Sequence, residues 1–300
     1  MVSVRYRPSG SLHSHRTGEF VYTVISDAPM VGLHVQSRPQ TLTIVRGMLS
    51  GVAEQLGMDP ELLDDLKTSV SEACNNVVLH AYEGEPGPMD VRVFADGEEI
   101  RVSVEDQGVG LPEAPAVIED GSGGLGVSVM QALARELRLI PRQGGGTEVL
   151  MSFDGRRDER PLYMAPAAAT VDRPASHPGD AGDEVTVTVS PVELLSPVLG
   201  RVARTLAATA HFSLDRFSDV YLITDALAAH AARASVGDRI TATLSPSDRS
   251  LALTAGRFRP GTGQMLERRV PSPLSVLVDE VTVSAFDDGD VVELVVRDQR

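Results

Sequence analysis

The sequence predicts a two-layer α/β sandwich that occurs twice in the chain. Three observations predict it: segments with apolar residues at helical spacing, segments in which apolar and polar residues alternate, and the return of the same order of segments later in the chain. Alternation is typical of a strand with one buried face, and helical spacing is typical of an amphipathic helix that covers such a face. We therefore expect mixed sheets with helices on one face.

Bulk composition limits the class of function. The 300-residue chain is 42% hydrophobic and has a formal net charge of −15 at pH 7. Because phosphate binding needs clustered Lys and Arg, this charge argues against nucleic acid as the main partner and favours other proteins. The single cysteine, Cys74, excludes a disulfide framework, fits a reducing cytoplasmic compartment and is expected to be a small buried residue. No run of about 18 apolar residues occurs, so we expect no membrane span.

The segment before residue 30 does not have the pattern of a secretory signal. It is basic, but it lacks the apolar central region that such a signal needs. We expect residues 1–29 to form a flexible extension, with Met30 as an alternative candidate for the start of the protein.

The first half of the chain opens with one predicted strand and two predicted helices. Residues 30–37 alternate as an edge strand does. Residues 41–56 have apolar positions at helical spacing, and the sequence "GMDP" ends that helix. A second helix is predicted from Pro60 to Tyr82, because its apolar positions follow a period near 3.6 and Pro60 suits a first helical turn.

A hairpin, a third helix and a last strand complete this half. The sequence "MDVRVFADGEEIRVSVEDQG" contains two alternating runs around Asp-Gly, which is a hairpin signal. The sequence "GSGGLGVSVMQALARELRLIP" predicts a helix that begins after a glycine-rich loop. The sequence "GGGTEVLMSFD" predicts the closing strand.

Glu72, Asn76 and His80 are spaced four residues apart in the second predicted helix, so they lie on one face. Such a row is typical of a solvated helix face, and it also suits the wall of a site, because apolar residues lie beside it. The amide oxygen of Asn76 can ligate magnesium, which takes oxygen ligands and is commonly completed by phosphates and water. The Glu72 carboxylate can orient or deprotonate a hydroxyl. His80 is either a hydrogen-bonding neighbour of the site or a structural residue.

Asp106 ends the second strand of the hairpin and is followed by Gly108 and Gly110. One interpretation is an ordinary turn at the end of a strand, where Asp and Gly are common. The other is a site for a base, because an Asp carboxylate only accepts hydrogen bonds and can bind the exocyclic amino group of adenine. The two glycines would let the backbone approach that base.

Glycines also precede the third predicted helix, in the sequence "GSGGLG" from Gly121 to Gly126. A glycine-rich loop at a helix start offers free backbone N–H groups to phosphates. It is not a Walker loop, because no Lys-Ser or Lys-Thr follows, and a flexible hinge is the alternative interpretation. Thr147 begins the closing strand, where its hydroxyl can contact a base or a neighbouring water, or where it simply follows a hairpin turn.

In this order, the four motifs resemble those of the GHKL ATPase superfamily, which includes gyrase, heat-shock chaperone, histidine kinase and mismatch-repair ATPases. The resemblance is strongest for the bacterial anti-sigma-factor serine kinases, covers about residues 30–153 and implies the Bergerat ATP-binding fold. The matching residues are Ser71, Glu72, Ala73, Asn76 and His80 on the helix, Asp106, Gly108 and Gly110 after the strand, Gly123, Gly124, Leu125 and Gly126 in the lid, and Gly146 and Thr147 at the last strand.

The resemblance implies a role for each motif. Asn76 would hold Mg2+ that bridges the phosphates of ATP, Asp106 would bind adenine, and residues 121–126 would cover the phosphates as a lid. Glu72 would be the base that receives the proton of an attacking serine in a protein substrate. The family also implies a sigma factor and a small antagonist protein as partners, and dimers of the ATP-binding module.

Residues 154–183 are rich in Pro, Ala, Gly and Asp without periodicity, which predicts a linker. The pattern of helices and strands restarts after it. We therefore expect residues 184–300 to be a degenerate second copy of the module at residues 30–153, and an unrelated small α/β domain is the alternative.

The expected copy has lost the nucleotide motifs. When Ile223 is aligned with Val70, Asn76 corresponds to Ala229 and Asp106 to about Ala255. No glycine-rich loop precedes the last helix of the copy. It would then serve as a built-in partner of the first module, in an intramolecular pseudo-dimer that replaces a homodimer. The alternative is that residues 184–300 dock an outside protein and do not contact the first module.

The function expected from these residues is that of an ATP-binding anti-sigma regulator with serine kinase activity on a small antagonist protein. Two alternatives remain open. One is a module that sequesters a partner in a nucleotide-dependent way without catalysis. The other is an ATPase that activates water.

Overall fold

The fold is described from a computed structural model, which covers residues 28–96, 99–110, 124–155, 183–263, 274 and 277–298. Among these residues, the first half contains five strands and three α-helices, besides a π-helical turn at Val77–Ala81. In chain order these are β1 (Val31–Gln36), α1 (Thr41–Leu56), α2 (Pro60–Asn76), β2 (Pro88–Asp96), β3 (Glu99–Asp106), α3 (Leu125–Leu133), β4 (Glu136–Pro141) and β5 (Thr147–Asp154).

The second half repeats the strand, two helices and hairpin of the first half, and it also ends with two strands, in the residues that the structure describes. Its elements are β6 (Val185–Val189), α4 (Leu195–Thr209), α5 (Leu214–Ala234), β7 (Ile240–Ser247), β8 (Ser250–Phe258), β9 (Glu280–Phe286) and β10 (Gly289–Arg297). Both halves thus begin with a strand and two helices and continue with a hairpin.

All ten strands form one sheet, in the order β4-β5-β3-β2-β1-β6-β7-β8-β10-β9, and every neighbouring pair is antiparallel. The helices form a single row, α3-α2-α1-α4-α5, in which each helix contacts the next. Burial alternates along the central strands, as at Val31, Leu33 and Val35, because one face of the sheet is covered by this row. The predicted two-layer α/β sandwich is therefore confirmed. The prediction of mixed sheets was wrong, because the strands of both halves form one sheet in which every pair is antiparallel.

The prediction that residues 30–37 form an edge strand was wrong. Strand β1 lies at the centre of the sheet, between β2 and β6. The second half supplies β6 as its other neighbour, with Leu33 opposite Val187. In a strand with one buried face, apolar and polar residues alternate whether the strand lies at the edge or at the centre of the sheet. The pattern alone therefore does not distinguish the two positions.

The third helix is shorter than the sequence predicted. It ends at Leu133, and the residues that follow form the outer strand β4. Ala134 is extended and terminates the helix, after which the partly buried Leu137 and Leu139 alternate with exposed residues. The strands β6 and β9 were not singled out in the sequence.

The two halves correspond with a constant offset of 154 residues from β1 to α2. The buried residues Leu66 and Val70 of α2 have the buried counterparts Val220 and Thr224 in α5. The same offset relates most buried positions of α1 to those of α4. The alignment in the sequence was therefore shifted by one residue.

This register changes the expected counterparts of the site residues. Asn76 corresponds to His230 and not to Ala229. The hairpin turns pair Asp96 with Glu99 and Ser247 with Ser250. Asp106 lies seven residues after Glu99, so its counterpart is Arg257, seven residues after Ser250, and not Ala255.

One hydrophobic core runs through both halves. A single cluster of buried residues includes Val70 in α2, Leu33 in β1, Val187 in β6 and Leu227 in α5. Within the described ranges, no helix is long and apolar enough to cross a membrane.

Burial of Cys74 predicts an unreactive thiol. The residue is fully buried in α2, and this burial raises its pKa to about 12, so the nucleophilic thiolate is scarce at pH 8. We expect labelling by a chromogenic disulfide reagent to be slow in the native protein and complete within seconds in denaturant. Since Cys74 is the only cysteine, the signal has one source, and rapid labelling of the native protein would contradict this packing.

Candidate nucleotide site

The first turn of α3 lies directly over the Glu72 face of α2. A Cβ atom added to Gly126 would lie 2.8 Å from Oε2 of Glu72 and 3.7 Å from Oδ1 of Asn76. The start of α3 is therefore in contact distance of the Glu72 side chain. The structure thus brings together Glu72, Asn76 and the start of α3, which the sequence offered as two separate motifs.

The second helix ends in a π-helical turn. After Asn76, residues Val77–Ala81 continue as this turn, a form that is rare and frequent at functional sites. The carbonyl oxygen of Ala81 accepts a hydrogen bond from the backbone N–H of Val109 at 2.9 Å. The turn thereby docks the end of α2 onto the loop that follows β3. His80 lies on this turn and is exposed.

Asp106 is held at the end of β3 by two backbone donors. One carboxylate oxygen accepts a hydrogen bond from the N–H of Gly108 at 2.8 Å and the other from the N–H of Thr147 at 3.2 Å. Burial raises the pKa of Asp106, while these two hydrogen bonds and the nearby Arg142 guanidinium oppose that rise. Each carboxylate oxygen has a second lone pair, so the fixed carboxylate keeps capacity to accept a hydrogen bond from a ligand.

Three glycines form the backbone wall around Asp106. A Cβ atom on Gly108 would lie 2.0 Å from the carbonyl oxygen of Ala81, and one on Gly146 would lie 2.1 Å from that of Asp106. Gly110 has φ +75° and packs against the backbone of Gly146, which has φ +88°. These close contacts leave no room for side chains, so the surface beside the carboxylate is made of peptide groups.

Other predicted residues have the following positions. Thr147 is buried at the start of β5 beside Asp106. Gly124 is the residue before α3, and Leu125 in its first turn is 84% exposed. Gly123 and Gly121 lie outside the described residues.

Three residues near Asp106 were not singled out in the sequence: Tyr82, Glu105 and Arg142. The hydroxyl of Tyr82 donates to the carbonyl oxygen of Pro88 at 2.5 Å and accepts from the N–H of Gln107 at 2.8 Å, which ties the end of the π turn to the Asp106 loop. Burial raises the pKa of Tyr82. The guanidinium of Arg142 contacts the buried Glu105 at 2.9 Å, and Glu105 also pairs with Arg92. Only the position of Arg142, two residues before the first of three consecutive glycines, offered a signal.

The donor set suits a magnesium ion that is shared with phosphates. Asn76 and Glu72 offer oxygen atoms on one face, and magnesium is usually bound by one or two such ligands together with substrate phosphates. In the described part of the chain, no cluster of three or more His, Cys, Asp and Glu side chains could hold a metal by itself. An ion at this face would therefore depend on the phosphates for the rest of its ligands.

The counterpart of this site in the second half is filled by protein. The positions of Glu72 and Asn76 are occupied by Ala226 and the buried His230. The fully buried ring of Phe258 lies 4.8 Å from the His230 ring, centroid to centroid. An aromatic contact thus stands where the first half has the Asn76 amide.

Comparison with known proteins matches residues 35–153 to the histidine kinase-like ATPase domain. The anti-sigma F factor of Thermoanaerobacter sp. (strain X514) is 31% identical over 131 residues, which cover 41% of this chain and 92% of that protein. The serine-protein kinase RsbW of Bacillus subtilis (strain 168) is 31% identical over 145 residues, which cover 44% of this chain and 91% of that protein.

One solved structure is similar over a shorter region. The histidine kinase domain of a blue-light activated histidine kinase from Erythrobacter litoralis EL346 is 31% identical, covering 31% of this chain and 45% of that chain, with a TM-score of 0.28.

The packing of Gly146 against Asp106 predicts a specific loss of stability. Gly146 and Gly144 both have positive φ, so alanine is strained at either position, but only at Gly146 does the added Cβ meet backbone, whereas nothing lies within 4 Å at Gly144. We expect Gly146→Ala to lower the free energy of unfolding by about 2 kcal/mol more than Gly144→Ala does. Urea unfolding of both variants measures the difference, and equal losses would show that Gly146 is not packed in this way.

Proposed function

Because the chain belongs to the histidine kinase-like ATPase family, we propose that its first half binds ATP with Mg2+ and that the protein is an anti-sigma-factor-type regulator. We further propose that it is a kinase that phosphorylates a serine or threonine of a small antagonist protein. The observation that carries the proposal is the position of the α3 start over Glu72 and Asn76. Two proteins with these activities in their names, an anti-sigma F factor and a serine-protein kinase, support it.

Adenine recognition is assigned to Asp106. Its carboxylate is oriented by the N–H groups of Gly108 and Thr147, and an amino group of the base would donate to the remaining lone pairs. Gly108 and Gly110 pack backbone against backbone beside the carboxylate, so a base at this point would meet peptide groups instead of side chains. The arrangement favours a base with an exocyclic amino group over one with a carbonyl oxygen at the same position, because a carboxylate only accepts.

Phosphate binding is assigned to the start of α3 and to Asn76. Backbone N–H groups at a helix start favour anions, and Gly123, Gly124, Leu125 and Gly126 are the lid residues that the resemblance places there. The amide oxygen of Asn76 would ligate magnesium. Bound magnesium neutralises phosphate charge, which is a main requirement of phosphoryl transfer.

Glu72 is assigned as the general base. Its carboxylate would accept the proton of the substrate hydroxyl while the hydroxyl oxygen bonds to the terminal phosphorus and the bond to the leaving ADP oxygen breaks. Gly126 lies close enough that the base and the phosphate-binding helix start are neighbours. The hydroxyl would thus meet its proton acceptor and the phosphoryl group on the same face of α2.

We assign the nucleotide-binding domain to residues 30–153 and a degenerate copy to residues 184–300, joined by a linker at 154–183 and preceded by an extension at 1–29. Support comes from the repeated strand order and from Ala226, His230 and Arg257, which replace the three polar site residues. The copy would act as an intramolecular partner of the first domain. A reducing, cytoplasmic location agrees with the single buried cysteine.

One assay separates the three candidate activities. The full chain is incubated with Mg-ATP, with and without candidate antagonist proteins that present a serine. Phosphoserine or phosphothreonine on the antagonist supports the kinase. Free phosphate without protein phosphorylation supports the ATPase, and nucleotide-dependent capture without turnover supports sequestration.

Asn76→Ala tests the metal assignment. Loss of the amide oxygen leaves the phosphate charge less compensated, so we expect ATP affinity in magnesium to fall by more than about tenfold. The neighbouring Asn75→Ala is the control, since it removes the same group from a different side of α2. Isothermal titration with and without magnesium measures both, and tight Mg-ATP binding by Asn76→Ala would refute the assignment.

Glu72→Gln tests the base. The amide keeps the shape of the side chain but accepts a proton far less readily, so we expect ATP binding to persist and turnover to fall by about 100-fold or more. Glu61→Gln, a surface change in the first turn of the same helix, is the control. Unchanged turnover in Glu72→Gln would place the base elsewhere.

A further inference from the structure

The two halves meet along a seam formed by β1 with β6 and by α1 with α4. Leu33 pairs with Val187, which is its own counterpart 154 residues later. In the helix layer, the nearest neighbours of Gly47 are Arg201, again its own counterpart, and Thr205. A pseudo-twofold axis therefore passes through the seam at both layers, as it would in a symmetric dimer of two identical modules.

The two helices at the seam, α1 and α4, nevertheless present different surfaces to each other. A Cβ atom on Gly51 would lie 2.4 Å from the carbonyl oxygen and 2.7 Å from the carbonyl carbon of Pro197, so only glycine fits on α1 at this point. The counterpart of Gly51 on α4 is Thr205. If two α4 helices met in the same geometry, Thr205 would have to occupy the space that even a methyl group cannot enter.

The charged residues at the seam also favour pairing of α1 with α4 over pairing of either helix with a copy of itself. Arg201 of α4 donates to the carboxylate of Glu54 on α1 at 2.6 Å. A pair of α4 helices would place Arg201 against Arg201, and the counterpart of Glu54 there is Ala208. A pair of α1 helices would place Gly47 opposite Gly47, which leaves the volume of an arginine side chain empty and Glu54 without its cation.

We propose that this seam is heterotypic: α1 accepts α4 of the same chain, neither helix pairs well with a second copy of itself, and the protein is a monomer with one nucleotide site. The proposed linker at residues 154–183 favours pairing within the chain. A short tether raises the effective concentration of one half at the surface of the other to roughly the millimolar range. Two surfaces that would be equivalent in a homodimer are then different. The count of one nucleotide site rests on the proposed function.

The mass of the full chain in solution tests the seam independently of any nucleotide. We expect 31.9 kDa by light scattering at micromolar to submillimolar concentration, and one bound ATP per chain by titration. A stable dimer of twice this mass, including one formed by exchange of halves, would overturn the proposal. A monomer that binds no ATP would leave the seam standing and refute the proposed function.

A matched pair of variants tests the geometry. Gly51→Ala places a methyl group against the Pro197 backbone, whereas Gly47→Ala, one turn earlier on the same helix, makes only ordinary contacts at 3.7 Å or more. Both changes favour helix formation equally. We expect Gly51→Ala to lower Tm by about 5 °C or more and Gly47→Ala to leave it unchanged or higher, with ATP affinity preserved in any Gly51→Ala protein that folds. Indistinguishable Tm values would overturn the heterotypic packing, and the mass measurement on the unmodified chain remains decisive if Gly51→Ala does not fold.

Discussion

The antiparallel pairing of β1 with β6 is the contact on which the rest of the molecule depends. It joins two five-stranded halves into one sheet and places α1 against α4 above it. Residues at this centre, such as Leu33, Val187 and Met48, are almost completely buried. Without the second half, the β1 edge and the outer side of α1 would be open to water, since both belong to a single continuous core.

The candidate site depends on backbone more than on side chains. The π turn at Val77–Ala81, the loop after β3 and the turn before β5 meet through Ala81, Gly108 and Gly146 at distances that exclude a Cβ atom. Asp106 is then oriented by N–H groups of the same loops. The polar groups of the candidate site are few, and their positions are consequences of where the chain can come close to itself.

Much of the first half could be predicted from its sequence, because its elements obey simple periodicities. Helix α1, the start of α2 and the β2–β3 hairpin lie where the patterns placed them. The helix face with Glu72 and Asn76 followed from spacing alone. Its proximity to Gly126 did not, because that contact joins residues more than 50 positions apart. The short helix α3 and the strand β4 share one apolar stretch, in which only the change of period after Ala134 marks the boundary.

The sequence showed the repeat as an order of elements, but it did not show which residue of the second half corresponds to which residue of the first. A local match of Glu72 with Asp225 suggested an offset one residue too short, whereas the burial of both helix pairs fixes the offset at 154. Burial is a three-dimensional property, and it distinguishes alignments that differ by one residue because such a shift turns a helix face by about 100°. The π turn was likewise invisible, since its residues satisfy an ordinary helical pattern.

The order of the strands also determines how much unpaired sheet edge the molecule presents. Two separate five-stranded sheets would have four edges, whereas the fused sheet has two, β4 and β9, at its far ends. Strand β4 carries the exposed ion pair of Arg138 with Glu136, and Glu280 at the start of β9 pairs with Arg297. Charged side chains on an outer strand discourage pairing with another chain. Joining two modules through their inner strands therefore gives a sheet of ten strands whose exposure to edge-to-edge aggregation is no greater than that of one module alone.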